Sequence, residues 1–146
     1  MSTMSAAVQA FHNDMEAVLV ISKVSTVGIC VRDQDAALAF YTEKLGFEVR
    51  KNVDIPGFKW FEVAPDGGQT TLVLAGEEGY PSFDESRIGK YTQVAFETPD
   101  IQEVYRTYTE RGVRFLNEPR HEEPGYWFAS FVDQDDNEFY LFQHDE

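Results

Sequence analysis

The sequence predicts an α+β fold in which two tandem βαβββ modules follow a helical N-terminal extension. Three observations support this prediction: the chain matches itself at a displacement of 67 positions, apolar residues alternate along several short segments, and other segments place apolar residues at helical spacing. We divide the chain into an extension at 1–22, a first module at 23–75, a connection at 76–90 and a second module at 91–146.

The internal match is the strongest of these observations. Nine identical pairs occur without a gap, where background residue frequencies give roughly three. They are Val27/Val94, Asp33/Asp100, Tyr41/Tyr108, Thr42/Thr109, Glu43/Glu110, Trp60/Trp127, Phe61/Phe128, Asp66/Asp133 and Leu74/Leu141. Because the displacement is constant, we expect equal strand register in both modules, so that a site between them uses matching positions.

Local patterns place the elements of the first module. Residues 24–31 alternate as a strand, Asp33 or Asp35 can cap the helix that follows, and Gly46 ends it. Turn residues then separate three further strands, predicted at 47–54, 58–64 and 70–75.

The second module repeats this order. Ile101, Val104, Tyr105 and Tyr108 follow helical spacing after a strand at 91–98. Further strands are predicted from 114, at 126–132 and at 138–143.

In the extension, helical spacing predicts an amphipathic helix that packs on the body or on a second subunit. Its apolar positions are Val8, Phe11, Met15, Val18 and Leu19.

Composition excludes several classes of partner. The formal charge of −14 disfavours nucleic acid and anionic membranes, and no apolar run is long enough to span a bilayer. A single cysteine, Cys30, and the absence of a secretory signal pattern predict a reducing cytoplasm.

Two tandem units with these motifs resemble the vicinal oxygen chelate superfamily, the family of glyoxalase I, bleomycin resistance proteins and extradiol dioxygenases. The resemblance rests on the stretch 33–47, with its Phe40-Tyr41 and Leu45-Gly46-Phe47, and on the turn 133–137, and it covers the chain from about Val24 to Gln143. It implies a glyoxalase-like cup of eight mixed strands with flanking helices, a small molecule held in the cup, and a homodimer.

The resemblance also locates a metal position. Many members bind one divalent metal through the first and last strands, at positions that correspond here to Thr26, Val73, Gln93 and Tyr140. Val73 has no donor atom, Thr26 and Tyr140 are weak neutral donors, and only Gln93 carries a donor suited to such a metal. We therefore expect no metal and no cofactor, with one divalent metal ion as the alternative.

Strand alternation, the equivalent positions of the two tryptophans and the loop position of His121 give the candidate ligand-binding residues. They are Thr26, Cys30, Trp60, Val73, Gln93, Glu97, His121, Trp127 and Tyr140. The two tryptophans either point into the cup or pack beneath it, and His121 is expected in a loop beside its mouth. Cys30 is interpreted as a small buried thiol. Glu97 is either a solvated strand end or, if enclosed, a base or counter-ion.

Three functions are consistent with these residues. The first is a bleomycin resistance-like protein that binds a small organic ligand, aromatic or cationic, without a catalytic metal. The alternative is a metal-dependent lyase, isomerase or extradiol-type dioxygenase with atypical ligands. The third is a metal-free enzyme that uses Glu97 or Tyr140 as acid or base.

Overall fold

The computed structural model describes residues 20–146 and, before them, Ala6 alone. Each module contains one four-stranded sheet of mixed direction, ordered β1-β4-β3-β2 in the first and β5-β8-β7-β6 in the second. The strands are β1 (Thr26–Cys30), β2 (Glu48–Ile55), β3 (Phe58–Ala64), β4 (Thr71–Ala75), β5 (Tyr91–Glu97), β6 (Arg114–Glu122), β7 (Tyr126–Val132) and β8 (Glu138–His144). The predicted order of one strand, a helix and three strands is confirmed in both modules. The amphipathic helix predicted from Val8 to Leu19 lies outside the described residues.

Side-chain caps begin both helices. Helix α1 (Gln34–Ala39) begins where the Asp33 carboxylate accepts from the Ala36 amide, and α2 (Ile101–Glu110) begins where Asp100 accepts from Glu103. A π-helix, Phe40–Lys44, continues α1, and a short 3₁₀ helix, Glu85–Arg87, lies in the connection. The sequence pattern did not indicate the π-helix, because its apolar residues also fit ordinary helical spacing.

The inner faces of the two sheets share one hydrophobic core with the helices. Fully buried side chains from both modules meet there, including Tyr41, Phe61, Phe131, Phe139 and Leu74. The face of each sheet that points away from this core is called its outer face below. None of the helices found between residues 20 and 146 has the length and apolar character needed to cross a membrane.

Reciprocal hydrogen bonds join the modules near their helix ends. The Lys44 ammonium donates to the Arg111 carbonyl at 2.7 Å, and the Arg111 guanidinium donates to the Lys44 carbonyl at 3.0 Å. These two residues are 67 positions apart, so the sequence repeat corresponds here to a real structural symmetry.

A second junction is not symmetric, because it depends on one buried carboxylate. Asp133 is 4% exposed and accepts hydrogen bonds from the Tyr41 hydroxyl at 2.5 Å, from the Asn137 side chain, and from the Asp135 and Asn137 amides. Burial and the Asp133 carboxylate raise the pKa of Tyr41 well above its usual value, so the phenol remains a donor. Asp66, its partner in the sequence repeat, lies exposed in a turn.

Strand register differs between the modules, and the prediction of equal register is wrong. Phe61 pairs with Leu74 in the first sheet, whereas Ala129, not Phe128, pairs with Leu141 in the second. Six residues (65–70) connect β3 to β4, but five (133–137) connect β7 to β8. A shift of one residue turns every side chain of a strand to the other face. Residues of β3 and β7 that match in sequence therefore face opposite sides.

Candidate functional site

The outer face of the second sheet carries a continuous group of aromatic rings, called the aromatic face. Its members are Tyr91 on β5, Tyr126 and Phe128 on β7, and Tyr140 and Phe142 on β8, all half-buried. Ring centroids are 4.1 Å apart for the stacked pair Tyr91–Tyr140, 4.9 Å for Phe128–Tyr140 and 5.4 Å for Tyr126–Phe142. Cross-strand pairing of β7 with β8 holds these rings side by side.

Polar side chains surround these rings. The Arg120 guanidinium lies 5.1 Å from the Phe128 ring centroid, within cation–π range, and also donates to Glu122. The Ser130 hydroxyl donates to the Glu138 carboxylate at 2.5 Å. At the far end of the face, Glu97 lies 4.0 Å from the His144 ring nitrogen.

The Tyr91 hydroxyl of this face remains protonated at neutral pH. Burial, with smaller contributions from Tyr140 and Glu138, raises the pKa of Tyr91 above its usual value. A neutral phenol can donate to a ligand oxygen as well as stack through its ring.

The outer face of the first sheet is organised around a buried carboxylate instead. Glu62 is 5% exposed and accepts from the Trp60 indole and the Thr71 hydroxyl, both at 2.7 Å. Burial alone would raise the pKa of Glu62, but these hydrogen bonds and the charge of Lys51 lower it below its usual range. The carboxylate is thus already satisfied by the protein's own donors.

The connection between the modules covers part of this first face. Tyr80 packs over β1 so closely that a Cβ on Gly28 would lie 2.1 Å from its hydroxyl oxygen. Ile88 packs with Cys30 and Ala75, and Tyr80 and Phe83 complete this cluster. Part of the first outer face is therefore covered by its own chain.

A cavity of about 210 Å³ lies between β1, β5 and the connection, and is called the seam cavity. Its lining comes from β1, the connection, β5 and the last turn: Gly28, Ile29, Cys30, Ser86, Arg87, Lys90, Tyr91, Thr92, Gln93 and Asn137. A β-bulge shapes its β5 side, because residues 92–94 stand opposite the single residue Phe139 of β8. Gln93 at the centre of the bulge has φ +69°, a conformation that non-glycine residues seldom adopt.

The four positions that the family resemblance assigns to a divalent metal do not fit one. Val73 is 1% exposed and apolar, Tyr140 is stacked on Tyr91, and Gln93 lies in the bulge. Thr26 lies on β1 beside Thr71 and offers a neutral hydroxyl. Within residues 20–146, no group of three or more His, Cys, Asp and Glu side chains is arranged to hold a metal ion.

The structure separates the remaining predicted residues. Trp60 lies on the first outer face, whereas Trp127 packs against the shared core, beside His121 at a ring distance of 5.2 Å. The expectation of His121 in a loop is wrong: it pairs with Trp127 in β6, because β6 extends to Glu122 and the turn begins after it. Cys30 is 6% exposed and free.

Glu97 remains exposed beside His144 at the strand end, while Tyr140 belongs to the aromatic face. Sequence reasoning missed Tyr91, Phe128 and Arg120 as members or neighbours of that face. The sequence carried no signal for Phe128, because the strands predicted in the two modules leave connections of equal length, 65–69 and 133–137.

Residues 23–141 match the sequence model of the family described as the Glyoxalase/Bleomycin resistance protein/Dioxygenase superfamily. The uncharacterized protein YetH of Bacillus subtilis (strain 168) is 35% identical over 122 residues, which cover 83% of this chain and 98% of that protein.

Solved structures show the same similarity. A member of the glyoxalase/bleomycin resistance protein/dioxygenase superfamily from Sphaerobacter thermophilus DSM 20745 is 38% identical with a TM-score of 0.75, over 85% of this chain and 98% of that one. TnmS3, an antibiotic binding protein from Streptomyces sp. CB03234, is 30% identical with a TM-score of 0.73, over 86% of this chain and 98% of that one.

Proposed function

The chain belongs to the glyoxalase/bleomycin resistance protein/dioxygenase superfamily, and on that premise we propose that it binds a small aromatic organic molecule against its aromatic face. The observation that carries the proposal is the cluster of half-buried rings on β5, β7 and β8. Aromatic side chains contribute large apolar areas to a core, so a group of them left at the surface is typical of a binding site. A flat ligand can stack there and cover them.

The relatives support a small molecule as the partner. TnmS3, which is 30% identical to this chain, is described as an antibiotic binding protein. The formal charge of −14 argues against nucleic acid and anionic lipid surfaces. We place this activity in the cytoplasm, where a buried free thiol such as Cys30 is ordinary.

Binding in this proposal requires no metal and no cofactor. The support is the chemistry of the four family positions, of which Val73 has no donor and Tyr140 is occupied by ring stacking. Elemental analysis of protein purified without chelators should give no stoichiometric metal. Iron, manganese, zinc or nickel that remains after dialysis at one ion per chain would contradict the metal-free proposal.

We also propose that the protein is a homodimer. Apolar side chains on the edge strand β2 are exposed, among them Val49, Val53 and Ile55, and Leu116 on β6 is exposed as well. A second copy would bury these residues. Sedimentation equilibrium should give a dimer at micromolar concentration, and V53D combined with I55D should give a monomer. A wild-type monomer under the same conditions would refute the dimer.

Calorimetric titration with a neutral aromatic probe, 2-naphthamide, tests the ligand site. Tyr140→Ala should weaken binding about tenfold, because it removes the ring at the centre of the face. Trp127→Phe is the matched control, since Trp127 lies on the opposite side of the same sheet and should leave the affinity unchanged. Equal affinities of wild type and Tyr140→Ala would sink the proposed site.

A further inference from the structure

The seam cavity differs in charge from the rest of the molecule. Among the described residues that line it, Arg87 and Lys90 carry a charge. No Asp or Glu of the described part of the chain borders it. The whole chain has 26 acidic and 12 basic residues, so such a cavity is unusual here. The polar hollow at the start of α1 shows the contrast: there Arg32 and Lys59 face Glu85 and Asp35, at 3.5 and 3.0 Å.

Arg87 also differs from the other arginines of the described chain. Each of the others donates to a carboxylate or a backbone carbonyl: Arg32, Arg50, Arg106, Arg111, Arg114 and Arg120. Arg87 makes no such bond to any residue between 20 and 146. The Asp84 carboxylate on the same turn accepts from the Ser86 amide and hydroxyl instead. Arg87 thus lines the cavity without a hydrogen-bonded acceptor for its guanidinium among residues 20–146, while the hydrogen bonds from Ser86 and, to a smaller extent, the Arg87 charge lower the pKa of Asp84 on the same turn.

The cavity contains further donors beside these cations. The Lys90 ammonium lies 3.2 Å from the Ser86 carbonyl at the cavity wall. Gln93, which has φ +69° in the bulge, is another polar residue of the same lining. A strained residue inside a cavity is an observation from which a binding role can be inferred.

Tyr91 connects the seam cavity to the aromatic face. It lines the cavity and also stacks on Tyr140 with ring centroids 4.1 Å apart. Glu138, which pairs with Tyr91 across β5 and β8, is held by the Ser130 hydroxyl and does not border the cavity. A ligand whose rings lie on the aromatic face can therefore reach the cations with an attached group.

We infer that the ligand is an aromatic acid whose carboxylate enters the seam cavity against Arg87 and Lys90 while its rings stack beside Tyr140. This inference rests on the proposed function and specifies its ligand class. It reverses the expectation of a cationic ligand, because the acidity of the chain lies elsewhere than in this cavity. Arginine pairs with a carboxylate in a bidentate geometry, which gives the cavity its selectivity.

Three probes that share the naphthalene ring and differ in the charge of the attached group separate the charge effect from ring stacking. Calorimetry at pH 7 and low salt compares 2-naphthoate, neutral 2-naphthamide and cationic 2-(aminomethyl)naphthalene. Naphthoate should bind at least about fivefold more tightly than naphthamide, and the cation more weakly, with the difference decreasing at high salt. Naphthoate binding no better than naphthamide would overturn the inference, whereas failure of all three probes would overturn the aromatic-face proposal itself.

A matched pair of variants assigns the charge effect to the cavity. Arg87→Gln should remove most of the advantage of naphthoate over naphthamide, measured as the ratio of the two affinities in the same variant. Arg32→Gln removes an equal charge from the polar hollow at the start of α1, and it should change neither the naphthoate nor the naphthamide affinity. Equal losses in both variants would show a general charge effect and refute the assignment. Thermal melting of both variants checks that they fold.

Inorganic phosphate, titrated alone, distinguishes an aromatic acid from a free anion. Phosphate should bind much more weakly than naphthoate, because it cannot use the rings. Phosphate binding as tightly as naphthoate would assign the cavity to small free anions and overturn the aromatic acid.

Discussion

The outer faces of the two modules have the same strand order but different character. The first has a buried carboxylate at its centre and is partly covered by Tyr80 of the connection, which packs beside Trp60, whereas the second presents a larger group of half-buried rings. Both contain one hydroxyl–carboxylate hydrogen bond, with the strands exchanged: Glu62 on β3 meets Thr71 on β4, and Ser130 on β7 meets Glu138 on β8. The two modules thus share their strand order, while the side chains on their outer faces differ.

Asp133, the buried carboxylate between the modules, gives the largest expected difference in stability between matching positions of the repeat. Asp133→Ala leaves the Tyr41 hydroxyl and several buried amide donors without an acceptor, so it should lower the free energy of unfolding by about 3 kcal/mol or more. Asp66→Ala, the matching position in the sequence repeat, should change it by less than about 0.5 kcal/mol. Urea unfolding measures both. Similar values for the two variants would mean that the repeat is symmetric here.

The exchanged hydroxyl–carboxylate pairs give a second comparison. Glu62→Gln weakens two hydrogen bonds to a buried carboxylate and should cost about 2 kcal/mol, whereas Glu138→Gln, which affects one bond at a half-buried site, should cost about 1 kcal/mol or less.

The pH dependence of the Glu62 variant follows from its lowered pKa. Ionisation of Glu62 stabilises the folded state above its ordinary pKa of 4.5, and this contribution is lost as the pH falls through the lowered folded-state pKa. The stability difference between wild type and Glu62→Gln should therefore decrease on acidification in urea titrations. A difference that grows as the pH falls would contradict the hydrogen-bond account.

Tyr80 can pack on the first outer face because Gly28 beneath it has no side chain. Gly28→Ala places a Cβ against the Tyr80 hydroxyl and should displace that ring at a cost of about 1 kcal/mol, since the flexible side chain can move. Limited proteolysis should then cut the connection faster than in wild type. Ala95→Gly, at the corresponding position of β5, is the control and should leave the cleavage rate unchanged.

The smallest expected effect on stability concerns the exposed pair of His121 on β6 and Asp145 after β8. The hydrogen bond that the His121 ring donates to the Asp145 carboxylate raises the pKa of His121, with burial opposing and the charges of Asp145 and Glu123 adding to it. A raised pKa means that the pair stabilises the fold below about pH 6.5 and loses this effect as the pH rises through the folded-state pKa. NMR titration of the His121 ring should give a midpoint above 6.5 that falls in Asp145→Asn. An unchanged midpoint would exclude this hydrogen bond as the cause.

The sequence by itself determined the fold and the types of side chain that the site can use. Alternation, helical spacing and aspartate caps are local, so they predicted the order and most bounds of the strands and helices. Side-chain chemistry alone also made Val73 unsuitable as a ligand at the metal position that the family resemblance assigns, because a valine has no donor atom wherever it is placed.

Only the tertiary structure decided which side chains meet. The turn before β8 is one residue shorter than its counterpart, and that single residue places Phe128 on the aromatic face and Trp127 against the core. The bulge at Gln93 and the approach of Tyr80 to Gly28 are likewise long-range outcomes of packing. Sequence identity at a constant displacement records common origin, but the face that a strand residue occupies depends on hydrogen-bond register, which pairing between distant segments sets.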